Sequence, residues 1–252
     1  MNAADVTILI PHYQTLDAIK LCLRALRRYT PPGFKVLVLD NGSRDASLGY
    51  LKSLRWIELH ETGLTNETWQ SHYECLNEAV KSVDTPYFIV MHSDLYVHDP
   101  GWLQFLLAKL ASGPYAAVGS RHQWIPVHGA WAYLWRLGAC FERKGADGIP
   151  RLRSLCALFR TDAFRAAGCR FTTTVRHPDI TFAPVGQLLA AGQRVLTLPA
   201  CTLCRYMFHR SATTRIANQA YRKNPARHLA KVMRYRSRPE VVALLGDDTL
   251  DA

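Results

Sequence analysis

Three short polar groups in this chain each follow directly on a run of apolar residues. Pro11-His12-Tyr13 comes after Val6 to Ile10, Asp40-Asn41-Gly42-Ser43-Arg44-Asp45 after Phe34 to Leu39, and His92-Ser93-Asp94 after Tyr87 to Met91. Carboxylates, hydroxyls, amides, imidazoles and a phenol ring are the groups that hydrogen-bond and stack on a polar ligand. Any one of the three alone is also ordinary turn chemistry, since Asp, Asn, Gly and Ser are the residues that end strands. Their convergence is the informative feature: if the apolar runs are parallel strands, all three lie at carboxyl ends, where open α/β sheets bind ligands.

The elements needed to position them are legible. Val6-Thr-Ile-Leu-Ile10 is β-rich and stops at Pro11, as a buried strand would. Leu16 to Tyr29 has apolar residues at 19, 21, 23 and 26 with arginines at 24, 27 and 28, an amphipathic helix closed by Pro31-Pro32-Gly33. Phe34 to Leu39 is a second strand, Ala46 to Leu54 a helix, Trp56 to Leu59 a third strand, Glu67 to Val83 a helix and Tyr87 to Met91 a fourth strand. That alternation predicts a mostly parallel sheet with helices on both faces. Beyond it are expected a helix at Trp102 to Leu110, a strand near Ala116 to Gly119, and a loop-dominated stretch from Arg121 to Pro150 with a helical piece near Trp131 to Leu137. Then come a strand at Leu155 to Phe159, helices at Asp162 to Ala167 and Val185 to Ala191, and a strand at Arg194 to Leu198.

The 252 residues, 48% hydrophobic and 20% charged, suffice for one domain with a sizeable core. No basic leader precedes the first apolar run and no window reaches the length of a membrane span, so the chain reads as cytoplasmic. Seven cysteines without framework spacing read as reduced thiols. Cys201-Thr-Leu-Cys204 has no second CxxC to complete a zinc site and falls in a strand-like stretch. The net charge of +11 is concentrated: Arg205 to Arg238 holds ten Lys or Arg and no acid. Such a run attracts nucleic acid, anionic lipid or a phosphorylated substrate, or is simply a solvated helical face.

In order, four blocks resemble family 2 glycosyltransferases of the GT-A fold over roughly residues 5 to 210. They are Thr7-Ile-Leu-Ile-Pro-His-Tyr13 with Cys22-Leu-Arg-Ala-Leu26, and Val36-Leu-Val-Leu-Asp-Asn-Gly-Ser-Arg-Asp-Ala-Ser47. Next comes Leu76-Asn77 with Tyr87-Phe-Ile-Val-Met-His-Ser-Asp94 and Pro100-Gly-Trp-Leu103. The last is Leu158-Phe-Arg160 with Phe164 to Gly168, Gly192-Gln-Arg-Val-Leu-Thr-Leu-Pro199 and His209. The resemblance implies a nucleoside-diphosphate-sugar donor, UDP-sugar favoured, with Pro11, Tyr13, Asp40, Asn41, Ser43, His92 and Ser93 at the donor. It also implies a carbohydrate or lipid-linked acceptor and transfer with inversion. Tyr13 suits stacking on a base or ordinary packing equally, and Asp45 suits capping the helix from Ala46.

Where family members usually have Asp-x-Asp, this chain has His92-Ser93-Asp94. The retained Asp94 is expected to anchor a divalent cation, Mn2+ or Mg2+, that neutralises the leaving diphosphate. His209 resembles a late second ligand, and its imidazole favours manganese. The acid pair that carries the family's base is absent before Gly192. The one acid in that region, Asp179 in Arg176-His-Pro-Asp-Ile180, is expected to take the acceptor proton, with His177 as the other candidate. Trp124, His128, Trp131 and Trp135 form either a sugar-stacking acceptor surface or, for the last pair, a packed helix face.

The organisation expected is a GT-A domain over residues 1–210, its donor half about 1–120 and its acceptor half about 121–210. A basic helical extension over 211–252 follows and suits peripheral contact with an anionic membrane. The replaced acid and the absent acid pair also suit a catalytically weak relative that binds sugar nucleotide or a partner protein. No recognisable module supports a specific nucleic acid as partner.

Overall fold

The structure is a computed structural model, described here for residues 2–64, 69–122, 125, 150–173, 179–209 and 236–252. The residues around Trp124, His128, Trp131 and Trp135, His177, and the basic segment 210–235 lie outside the described residues.

The first half follows the alternating rhythm closely. Strand β1 (Val6–His12) leads to α1 (Leu16–Tyr29), β2 (Lys35–Asp40), α2 (Ala46–Ser53), β3 (Glu58–Glu61), α3 (Trp69–Ser82) and β4 (Tyr87–Met91). The short β5 (Leu95–Val97) comes next, then α4 (Trp102–Ala111), β6 (Tyr115–Ser120), β7 (Cys156–Arg160), α5 (Thr161–Ala166) and α6 (Phe182–Ala190). β8 (Arg194–Leu198), α7 (Ala200–Leu203), β9 (Met207–His209) and α8 (Pro239–Gly246) complete the described elements, with a 3-10 turn at Asp248–Asp251.

Among the described residues the main sheet has seven strands in the order β3-β2-β1-β4-β7-β6-β8. β3, β2, β1 and β4 run parallel, as do β6 and β8, and β7 alone is reversed between β4 and β6. Both faces are covered, which is why the strands are apolar almost without interruption. Val6, Ile8, Ile10, Val36 and Val38 point to the face packed by α1, α2, α4 and α8. Leu9, Leu37, Leu39, Phe88 and Val90 point to the face packed by α3, α5 and α6. β6 and β7 approach so closely at Gly119 that a Cβ there would lie 2.5 Å from the Cys156 carbonyl oxygen, so glycine alone fits.

The reversal of β7 has a direct consequence for the site. The carboxyl ends of β1, β2 and β4 and the amino end of β7 share one edge of the sheet. The backbone N–H of His92, just past β4, donates to the Leu155 carbonyl just before β7 at 3.1 Å. A second, two-stranded sheet lies beside this edge: β5 pairs antiparallel with β9, with Leu95 opposite His209.

Two expectations need correcting. Cys201 and Cys204 lie on and just after the short helix α7, not in a strand; Pro199 starts that helix, and the Cys204 thiol donates to the Cys201 carbonyl at 3.3 Å. The strands β5 and β9 were absent from the sequence reading. The six described cysteines are all free thiols, in line with the reduced state expected. No helix among the described residues is long and apolar enough to cross a membrane.

At the far end of the chain, α8 and the 3-10 turn fold back on α1. Val241 and Leu244 join the core, and the buried Arg24 of α1 reaches up to bind this segment.

Candidate active site

The loop after β2 folds tightly around the Asp40 carboxylate. Asp40 is buried at the strand end, and its Oδ2 accepts from the backbone N–H groups of Gly42 at 3.2 Å and Ser43 at 2.9 Å. Gly42 is at φ 81, a left-handed conformation that favours glycine. The other carboxylate oxygen, Oδ1, is buried with no hydrogen-bond partner. An enclosed acceptor left unpaired costs roughly 1–3 kcal/mol, which a donor N–H or O–H on a bound ligand would offset.

Ser43 Oγ accepts from the Gln14 backbone N–H at 2.7 Å, tying this loop to the one after β1. Gln14 and Thr15 both sit at positive φ (54 and 68), an arrangement costly for non-glycine residues and concentrated at ligand sites. The half-buried Tyr13 accepts from Gln14 Nε2 at 3.2 Å through its hydroxyl, while Pro11 is buried within β1. Asn41 behaves differently from the expectation of donor contact. Its side chain is engaged inside the protein, with Nδ2 donating to Cys75 Sγ at 3.7 Å and Oδ1 accepting from Thr62 Oγ1 at 3.0 Å. Asp45 caps α2 as expected: its side chain accepts from the Ser47 N–H at 3.1 Å and from the Ser47 hydroxyl.

His12 opposes Asp40 in the β1–β2 register, and its Nε2 meets Ser47 Oγ at 2.9 Å. Its Nδ1, like Asp40 Oδ1, is buried without a partner. Burial lowers its pKa to about 4 despite the opposing charges of Asp40 and Asp45, so the ring is neutral near pH 7.

The second cluster forms where β4, β5 and β9 meet. Pairing of β5 with β9 sets His209, fully buried, beside Asp94, with His209 Nε2 3.0 Å from Asp94 Oδ1. His209 is fixed on its other side by a two-way backbone bridge to Ile125. His92 Nδ1 lies 3.9 Å from the same carboxylate oxygen, and its Nε2 meets Ser154 Oγ, before β7, at 2.9 Å. The candidate ligand atoms of His92, Asp94 and His209 all fall within 4.8 Å of one another. One carboxylate and two imidazoles are a donor set that fits a divalent transition ion. Ser93 is buried between the two strand-end ligands. Burial, and then the neighbouring His209, lower the His92 pKa to about 4 against the pull of Asp94, so the ring is neutral near pH 7 and keeps one nitrogen lone pair.

Helix α3 joins the two clusters. Cys75 touches Asn41, and His72, one turn earlier, stacks edge-to-face on His92 with ring centroids 5.8 Å apart. Burial, then the nearby His92, lower the His72 pKa to about 3, and the charge of Asp179 opposes that. Asp179 therefore lies on the same side of the molecule as the cation cluster. Its Oδ1 accepts from Thr181 N–H at 3.1 Å and Thr181 Oγ1 at 2.6 Å, and its Oδ2 is 3.5 Å from Arg153 Nη1. His72, Arg153 and Ser154 escaped the sequence reading; none stands at a recognisable spacing from the residues it serves.

A mostly parallel sheet flanked by helices, with Asp40 after β2 and Asp94 paired to His209 after β4, is the arrangement of the GT-A fold. The chain belongs to glycosyl transferase family 2, whose model matches residues 7–171. Among curated proteins, it is 27% identical over 177 residues to the teichoic acid poly(glycerol phosphate) polymerase of Staphylococcus epidermidis. That match covers 66% of this chain and 23% of the polymerase, so the chain spans about a quarter of that relative.

Among solved structures it resembles the mannosyltransferase PcManGT of Pyrobaculum calidifontis, in complex with GDP-Man and Mn2+. There the TM-score is 0.58 at 17% identity, covering 96% of this chain and 68% of that one. It also resembles S. aureus TarS 1–349 in complex with UDP-GlcNAc, with a TM-score of 0.59 at 14% identity, covering 100% of this chain and 71% of that one. At such identities the likeness is one of fold.

Proposed function

We propose that the protein transfers a sugar, with inversion, from a nucleoside diphosphate to a carbohydrate or lipid-linked acceptor, with UDP-sugar as the favoured donor. The observation that carries this reading is the Asp94–His209 contact, built by a dedicated strand pair at the edge where Asp40 and Tyr13 also stand. Asp40 presents its unpaired Oδ1 to a donor group on the base or ribose, Tyr13 offers a ring face, and Pro11 and Ser43 shape the slot. Asp94 and His209 would hold Mn2+ or Mg2+, which supplies Lewis-acid stabilisation of the leaving diphosphate. Asp179 takes the acceptor proton through Oδ2, where the 3.5 Å contact with Arg153 Nη1 gives way to the acceptor hydroxyl while Thr181 holds Oδ1; His177 is the other candidate.

The test is release of nucleoside diphosphate by the purified protein from a panel of UDP-sugars and GDP-mannose, with Mn2+, Mg2+ or a chelator. Turnover that needs a divalent ion is expected, and turnover indifferent to the chelator would overturn the assignment. Tight donor binding with neither hydrolysis nor transfer would favour the second reading, a sugar-nucleotide-binding relative. That reading draws on the engagement of half of the Asp179 carboxylate by Thr181.

Division near residue 210 into a transferase domain and a basic extension is part of the proposal, as is a cytoplasmic location with peripheral contact to anionic lipid. The ten basic residues between Arg205 and Arg238 support that contact. Sedimentation with vesicles should rise several-fold from neutral to one-third anionic lipid and fall again in about 0.5 M salt. Sedimentation independent of lipid charge counts against it.

A further inference from the structure

The cluster after β4 contains more than the carboxylate and late histidine used so far. We infer that His92 is itself a metal ligand, through Nδ1, making the centre a two-histidine, one-carboxylate site that selects nitrogen-loving ions over Mg2+. This rests on the proposed cation site at Asp94 and His209 and deepens it.

The geometry is that of a ligand held ready. Ions such as Mn2+, Co2+ or Zn2+ hold ligands at roughly 2.0–2.2 Å, so neighbouring ligand atoms stand roughly 3 Å apart and opposed ones roughly 4 Å. Asp94 Oδ1 stands 3.0 Å from His209 Nε2 and 3.9 Å from His92 Nδ1, and the whole set closes within 4.8 Å. His92 Nε2 meets Ser154 Oγ at 2.9 Å, and in the tautomer that carries its proton on Nε2 the lone pair is on Nδ1, the nitrogen on the Asp94 side. A hydrogen bond on the far ring nitrogen is the usual way a protein fixes the tautomer and aim of a ligating histidine. His72 stacks edge-on against the same ring and restricts its rotation.

The chemistry of the set determines its preference. Mg2+ seeks oxygen ligands and keeps its waters, whereas imidazole nitrogen suits the later divalent transition ions. An imidazole in place of a second acid also removes one negative charge. A divalent ion held by Asp94 and two neutral rings keeps a net charge of about +1, to be met by the diphosphate of the donor. Metal and nucleotide should therefore bind cooperatively, each raising the affinity for the other by the same factor.

The test reads metal binding rather than turnover. Mn2+ is titrated into the full chain and followed by the EPR signal of free ion, with and without UDP or GDP. Bound nitrogen is counted from the 14N modulation of the bound ion. The intact protein should bind Mn2+ at least about 10-fold more tightly than Mg2+, carry two imidazole nitrogens, and gain affinity with nucleotide. His92→Ala should leave one nitrogen and weaken Mn2+ binding 10- to 100-fold, and Ser154→Ala should weaken it by about 10-fold with both nitrogens retained. His92→Asp, which restores an acid at unchanged fold, should narrow the Mn2+ over Mg2+ preference. Two nitrogens persisting in His92→Ala, or affinity unchanged in it while Asp94→Asn loses binding, would overturn the role of His92 and leave the Asp94 site standing. No binding of any divalent ion by the intact protein, with nucleotide present, would remove both.

Discussion

Asp94→Asn should lower metal-dependent turnover by at least about 1,000-fold while the protein stays folded. Asparagine keeps the volume of the side chain and removes its charge, which is the one formal negative charge among the three clustered ligands. A Lewis-acid contribution of several kcal/mol to stabilising the leaving diphosphate is lost with the ion, and about 4 kcal/mol corresponds to a 1,000-fold change in rate. The fold should tolerate the change because Asp94 immediately precedes β5, whose backbone pairing with β9, Leu95 opposite His209, does not use its side chain. Steady-state kinetics in saturating Mn2+ and a thermal melt together make the measurement. Turnover above a tenth of the unaltered rate at unchanged stability would show that the ion, if bound, is held elsewhere. A loss restored by raising Mn2+ would instead mean that Asp94 tunes affinity without acting in the chemical step.

That cluster was only partly legible beforehand, for a physical reason. Most of the run from β1 to β4 could be read closely, because the inner strands of a parallel sheet are buried on both faces and each apolar run ends in a turn signal. The largely exposed β3 is the exception, expected at Trp56 to Leu59 and found at Glu58–Glu61. α1 matches its expected bounds, and Asp45 caps α2 as its spacing before Ala46 implied. β5 and β9 carry only three residues each and pair across a separation near that of Asp94 and His209, 115 positions. Strands so short have no periodicity to detect, and the pairing that defines them is a property of the folded chain. His209 was found through family resemblance, but its partnership with Asp94 needed the fold.

His92 illustrates the same limit from the other side. As a replacement for an acid it could be read only as a departure. The direction of β7 was also invisible in Cys156-Ala-Leu-Phe-Arg160, and that direction brings Ser154 to its ring. Asn41 is the reverse case: its place in a loop of donor-binding type suggested ligand contact, yet Thr62 and Cys75, distant in sequence, engage its side chain. The CxxC pair misled because a short stretch such as Ala200-Cys-Thr-Leu203 suits a strand and a short helix alike, and Pro199, at the N-cap, decided it.

The largest effect on stability is expected at Arg24, far from the chemistry. Its side chain is fully buried, an uncommon state for arginine, and its donors are spent on one segment. Nε and Nη2 bind the Asp251 carboxylate, Nη2 also meets Asp248, and Nη1 donates to the carbonyls of Leu245 at 2.6 Å and Leu244 at 3.2 Å. Those carbonyls end α8, so the guanidinium caps the helix and clamps the turn after it. Hydrogen bonding to Asp251 raises the Arg24 pKa above its ordinary value against the effect of burial.

Arg24→Met keeps the apolar stem and leaves the carbonyls and the Asp251 carboxylate without their donor. Breaking a buried ion pair costs roughly 3–5 kcal/mol, and partial exposure of Asp251, at 24%, places the expectation near the lower end, about 3 kcal/mol. For a chain of this size that is roughly 6–12 °C in Tm. Asp251→Asn should cost less, and Asp248→Asn close to nothing, because Asp248 is 83% exposed and its pair is screened.

Acid provides an independent readout. Burial pushes the Asp251 carboxyl upward, but hydrogen bonds from Arg24 and Tyr50 outweigh it and hold the group below its ordinary 3.8. A carboxylate depressed on folding contributes stability that is present above that ordinary value and is lost as pH falls through the folded one. The unaltered protein should therefore lose stability on that acid limb, and Arg24→Met should lose correspondingly less. Urea unfolding at pH 7 and at pH 3 measures both. Equal stability of Arg24→Met and the unaltered protein at pH 7 would mean that α8 is held by Val241 and Leu244 in the core rather than by the clamp.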